Sequence, residues 1–125
     1  MGKKVLIADD AKSVLFTAES LLVSRGYEVV AVDDGAKASA AIKEEHPAFA
    51  ILDIKMPGKT GFEICKEIKE SEETKNIIVI IVSGNVDEIE QGFDYGADEC
   101  FIKPVYWDEV IKRMESLSEA RNRKK

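Results

Sequence analysis

At 125 residues, with 45% hydrophobic and 34% charged residues and only 3 prolines, the chain has the size and composition of one globular domain, far from the disordered class. A net charge of -6 excludes the broad basic footprint that direct nucleic-acid binding requires, and no apolar run is long enough to span a bilayer. The start, Met1-Gly2-Lys3-Lys4 and a short apolar run, has no secretory cleavage pattern, so one cytoplasmic domain over residues 1–125 is expected.

Apolar runs alternate with helical patterns along the whole chain. Residues 5–8 read as a first strand, with Asp9 and Asp10 immediately after it. Val14, Leu15, Ala18, Leu21 and Leu22 then recur at helical spacing up to Gly26. A second run, 29–32, leads into Asp33-Asp34-Gly35, and Ala38, Ala41 and Ile42 form a narrower helical stripe that stops near Pro47. The third run, 49–52, ends on Asp53. Pro57-Gly58 after it suits a tight turn, and Thr60-Gly61-Phe62-Glu63 has the pattern of a capping box, with Phe62, Cys65 and Ile68 expected to face inward.

The fourth run, 77–82, stops at Ser83-Gly84. The helix expected after it, around Ile89 and Phe93 with Gly92 inside it, is short and weakly patterned and should be the least rigid element. The last run, 100–102, meets Lys103-Pro104, and Trp107, Val110, Ile111, Met114 and Leu117 mark a strongly amphipathic final helix. Cys65 and Cys100 have neither metal nor redox spacing and are expected to pack. The basic residues 121–125 read as a solvated helix end or the stub of a linker.

Runs that are apolar without alternation suit strands covered on both faces, as in a parallel sheet. Five strand–helix units in this length imply an α/β doubly wound sheet, with flavodoxin-like order 2-1-3-4-5 as the precedent. In such sheets a ligand binds beyond the carboxyl ends of the strands where the winding reverses, here between the first and third. Asp9, Asp10 and Asp53 converge there. Two carboxylates about 4 Å apart repel by about 4 kcal/mol at an effective dielectric near 20, so a cation or a proton must compensate. Mg²⁺, with Mn²⁺ as a substitute, prefers such oxygen ligands.

An acidic pair can also be a helix cap or a turn, and Asp33-Asp34 is read that way because its strand should lie at the sheet edge. Ser83 and Lys103 also stand at strand ends, a hydroxyl and an ammonium aimed at the same crevice. Each is weak evidence singly. Three acids, a hydroxyl and a lysine together suit a site that binds a metal and a phosphoryl group.

At these spacings the chain resembles the receiver domains of bacterial two-component systems. The resemblance spans Asp9-Asp10, Asp53 through Gly61, Ser83-Gly84, Gly96-Ala97-Asp98 and Lys103-Pro104. It implies that Asp53 accepts a phosphoryl group from a histidine kinase or a histidine phosphotransfer protein. Asp10, Asp53 and the Lys55 backbone carbonyl would hold Mg²⁺, with Asp9 supporting it directly or through water. Lys103 and the Ser83 hydroxyl would each engage a phosphoryl oxygen, and the Lys103-Pro104 bond would be cis.

Cys100 departs from the resemblance, since the family usually has Tyr or Phe there as an inward-swinging switch. Phe101 should face the other side of the sheet, so output is expected through the loop after Ser83 and the fourth helix, or the protein serves mainly as a phosphate carrier. A phosphatase of the haloacid-dehalogenase type needs a second Asp where Lys55 stands, and a flavin or nucleotide binder needs acid-free phosphate loops. His46, before Pro47, is expected in a loop far from the crevice.

The partner of the phosphorylated form is a downstream protein, or an output domain if the receiver is excised from a larger DNA-binding or enzymatic regulator. The chain itself is expected to be a monomer or a weak phosphorylation-dependent dimer and not to contact a membrane.

Overall fold

The computed structural model describes residues 3–123. Met1, Gly2, Lys124 and Lys125, which belong to the terminal segments discussed above, lie outside the described residues. Along the chain run β1 (Lys4–Ala8), α1 (Lys12–Ser24), β2 (Glu28–Val32), α2 (Gly35–Glu45), β3 (Phe49–Asp53), α3 (Gly61–Glu70), β4 (Ile78–Ser83), α4 (Val86–Asp94), β5 (Glu99–Ile102) and α5 (Trp107–Arg123). The strands form one sheet in the order β2-β1-β3-β4-β5, all neighbouring pairs parallel. The expected architecture and order are therefore observed.

Alternation along the strands divides the core into two layers. Leu6, Ala50, Leu52, Val79 and Ile81 pack with Ala38 and Ile42 of α2 and with Ile64, Cys65 and Ile68 of α3. Val5, Ile7, Phe49, Ile51 and Ile80 pack with Ala18 and Leu22 of α1 and with Val110, Ile111 and Met114 of α5. Helices thus cover both faces, as the non-alternating runs required. Cys100 and Phe101 go to opposite layers, as strand geometry demands.

Local sequence accounts for the element ends nearest the site. The α3 capping box is formed: Thr60 Oγ1 accepts from the Glu63 amide at 3.2 Å, and the Glu63 carboxylate accepts from the Thr60 amide at 3.1 Å. Phe62 is only half-buried and stacks on Tyr95, with ring centres 5.1 Å apart. Phe62 also packs against the core, as expected of it, while Ile64 is fully buried beside Cys65 and Ile68. Gly58 has φ +87°, the left-handed turn conformation anticipated for Pro57-Gly58. The Lys103-Pro104 bond is cis.

In α4 Gly92 is the fully buried residue and Ile89 is half-buried, while Val86 and Phe93 are exposed. Among the described residues, no helix is long and apolar enough to cross a membrane.

Candidate functional site

The carboxyl ends of β1, β3, β4 and β5 meet in an open cleft of about 610 Å³ lined by Asp10, Asp53, Lys55, Ser83 and Lys103. Asp9 and Asp53 are buried and Asp10 is exposed, and one carboxylate oxygen from each lies within 4.8 Å of the others. β1 and β3 are hydrogen-bonded neighbours in register, Ala8 beside Leu52, which brings the residues after them together. A one-residue slip of either strand would turn its acid to the other face.

Asp9 is fixed by its own turn, with Oδ1 accepting from the Ala11 amide at 2.9 Å. Its Oδ2 lies 3.1 Å from the Lys103 ammonium, and Asp53 Oδ1 lies 3.2 Å from the same nitrogen. Asp53 also accepts from the Ile54 amide at 3.0 Å. Lys103 therefore spans the two buried acids and offsets part of their repulsion.

The titration behaviour shows that the offset is partial. Burial, and next the charge of Asp9, push the Asp53 carboxyl above the ordinary value of 3.8, and Lys103 only moderates this. Burial lowers the basicity of Lys103, but the hydrogen bond it donates to Asp9 and the charges of Asp53 and Asp9 outweigh this, leaving its pKa raised. The acids thus form an electron-rich, undercompensated pocket, which is what a hard cation stabilises.

The loop after β3 is held tightly. A Cβ at Gly61 would lie 2.5 Å from the Asp53 carbonyl oxygen, and the Gly61 amide donates to the Ile54 carbonyl at 3.0 Å. This approach seats α3 directly beneath Asp53 and keeps Lys55 at the rim of the cleft, where its side chain is exposed.

Ser83 is at the expected strand end and is almost fully buried, but its hydroxyl is engaged. Oγ donates to Glu88 Oε1 at 2.5 Å and accepts from the Asn85 amide at 3.0 Å. Glu88 and Asn85 were absent from the sequence reading. Asn85 carried a detectable signal as the cap of α4, where its side chain accepts from the Asp87 amide at 2.8 Å.

The residues read as structural behave accordingly. Asp34 caps α2 by accepting from the Lys37 amide at 2.7 Å, and Asp33 pairs with the Lys37 ammonium at 3.2 Å. Burial pushes the Cys65 thiol up to about 12 and the Cys100 thiol up to about 11, so both stay protonated packing groups. His46 ends α2 in the left-handed conformation, φ 47°, at the opposite end of the sheet.

Solved structures share this fold. A CheY-like response regulator receiver domain protein from Methanospirillum hungatei JF-1 superposes with a TM-score of 0.91 at 24% identity, covering 100% of both chains. The chemotaxis response regulator CheY4 of Vibrio cholerae gives a TM-score of 0.86 at 26% identity, over 93% of this chain and 98% of its own. The receiver domain of the sensor histidine kinase PA1611 from Pseudomonas aeruginosa PAO1, which has a magnesium ion coordinated in its active-site cleft, gives 0.85 at 21% identity, over 93% and 97%. Residues 5–115 match the family described as the response regulator receiver domain, and with its fold and acidic cleft this chain belongs to that family.

Proposed function

We propose that residues 1–125 form one receiver unit in which Asp53 accepts a phosphoryl group from a histidine kinase or a histidine phosphotransfer protein, and that phosphorylation changes the binding of a downstream partner. The observation that carries this reading is the position of Asp53, buried at the end of β3 beside Asp9, paired with Lys103 and open to the cleft.

An Asp53 carboxylate oxygen attacks the phosphorus of a phosphohistidine. The new O–P bond forms as the P–N bond breaks, and the imidazole leaves with a proton from solvent. A carboxylate is a weak nucleophile, so the acceleration comes from positioning and from neutralising the transferring oxygens. Lys103, already between Asp9 and Asp53, is placed to move its ammonium to a phosphoryl oxygen once Asp53 is esterified. Water regenerates the carboxylate by attack at phosphorus, releasing inorganic phosphate.

The three acids fit a divalent ion by donor type and by proximity. Asp10 and Asp53, with the Lys55 carbonyl, would hold Mg²⁺ or Mn²⁺, and Asp9 would act through water because both its oxygens are engaged, Oδ1 by the Ala11 amide and Oδ2 by Lys103. The ion, when bound, supplies charge compensation for the carboxylates and for the phosphoryl oxygens. The magnesium ion of the PA1611 receiver domain supports this choice of metal.

Incubation with phosphoramidate and Mg²⁺ followed by mass spectrometry should show addition of one phosphoryl group. Asp53→Asn or chelation should abolish it. Addition that persists in Asp53→Asn would refute the assignment.

A further inference from the structure

We propose that Glu88 is a latch on the phosphorylation site: it holds the Ser83 hydroxyl when Asp53 is free, and it must give that hydroxyl up, releasing the first turn of α4, when Asp53 carries a phosphoryl group. The proposal rests on the reading of Asp53 as phosphoacceptor and adds a positioning residue that sets how readily the group is accepted.

A serine hydroxyl has a single proton to donate. Ser83 is 1% exposed, and its nearest acceptor is Glu88 Oε1 at 2.5 Å, against 3.3 Å to the Asn85 carbonyl. The Glu88 bond is short and runs to a carboxylate oxygen, the marks of a strong hydrogen bond. A phosphoryl oxygen on Asp53 would be a second anionic acceptor in the same cleft, since Asp53, Ser83 and Glu88 all line it. Two anionic acceptors cannot share one proton. Their like charges also repel, so occupation of Asp53 and retention of the Glu88 bond oppose each other.

The consequence falls on α4. Glu88 lies in its first turn, and that turn has few apolar anchors: Val86 is exposed, Ile89 is half-buried, and the fully buried residue of the helix, Gly92, comes a turn later. Breaking the Ser83–Glu88 bond removes the side-chain tie between the end of β4 and the first turn of α4, leaving only the cap residue Asn85 bonded to Ser83 Oγ through its amide. A further tie lies farther along the helix, where the Cys100 thiol donates to the Ile89 carbonyl at 3.6 Å and, with Ile81, packs on Gly92. The latch gives this chain a direct link from Asp53 to α4 that needs no aromatic side chain at position 100.

The test is a double-mutant cycle on the rate of phosphorylation by phosphoramidate with Mg²⁺, using the wild type, Glu88→Ala, Ser83→Ala and the double variant. Glu88→Ala should raise the rate roughly three- to tenfold, the scale of losing one hydrogen bond to a charged acceptor at a half-exposed site. In the Ser83→Ala background the same change should act less than about twofold, because only the general charge effect remains. An equal gain in both backgrounds, or no gain in either, would overturn the latch.

Amide hydrogen exchange in α4 provides a readout independent of the Ser83 variant. Exchange over residues 86–89 should quicken in unphosphorylated Glu88→Ala and in phosphorylated wild type, and unchanged protection in both would overturn the proposal. A wild type that accepts no phosphoryl group at Asp53 would instead refute the phosphoacceptor reading itself.

Discussion

Lys103 lies 3.1 Å from one carboxylate and 3.2 Å from the other, yet Asp53 still holds its proton more tightly than an exposed aspartate. Burial and the Asp9 charge outweigh the lysine. The folded state therefore binds the Asp53 proton better than the unfolded chain does. The stability this supplies is complete below the unfolded carboxylate pKa, about 3.9, and is lost as pH rises through the folded value. At neutral pH the ionised group is a net cost.

Asp53→Asn should accordingly raise the thermal unfolding midpoint in chelator near neutral pH, and the gain should shrink at about pH 3. A lower midpoint at neutral pH would mean that the pairing with Lys103 dominates. The five side chains of the site were legible in the sequence because each stands at a strand end, where topology alone determines its position. Glu88 was not, since its approach to Ser83 depends on the loop of residues 84–85 and on where α4 begins.

At the scale of elements, α4 and β5 are fitted to each other through a glycine and a sulfur. A Cβ at Gly92 would lie 2.8 Å from Cys100 Sγ and 3.4 Å from the Ile81 side chain. A small residue in the helix thus accompanies a small residue at position 100. Gly92→Ala should destabilise the protein by about 1 kcal/mol, since overpacking outweighs the helix-propensity gain of about 1 kcal/mol. In a Cys100→Ala background the same change should become stabilising, because the obstacle is gone and the propensity gain remains. Denaturant unfolding of the four proteins checks this reversal of sign.

The sequence showed that position 100 lacks an aromatic side chain, and strand alternation correctly sent Phe101 to the other layer. It could not show what fills the space, because the partner is the backbone of a weakly patterned helix. The α3 boundary was fully legible, since its capping box is a local pattern whose atoms lie within four consecutive residues.

Across the whole molecule, the two apolar layers stabilise the sheet while the acids gather at one end of it. That separation lets the core offset an electrostatic cost that persists until a cation binds. Mg²⁺ at ten times its dissociation constant should add about 1.4 kcal/mol of stability. Because a proton competes with the ion for Asp53, whose carboxyl is raised by burial, the added stability should be smaller at about pH 5 than at about pH 7. Thermal unfolding with and without MgCl₂ at the two pH values measures it, and equal stabilisation at both would place the ion away from Asp53.

Identification of the phosphorylated residue tests the central claim most directly. After reaction with phosphoramidate and Mg²⁺, borohydride reduces an aspartyl phosphate to homoserine, and peptide sequencing by mass spectrometry locates the change. The predicted result is homoserine at position 53 and at no other aspartate. Homoserine at Asp9 or Asp10, or an unaltered Asp53 in a protein that has gained a phosphoryl group, would contradict the account.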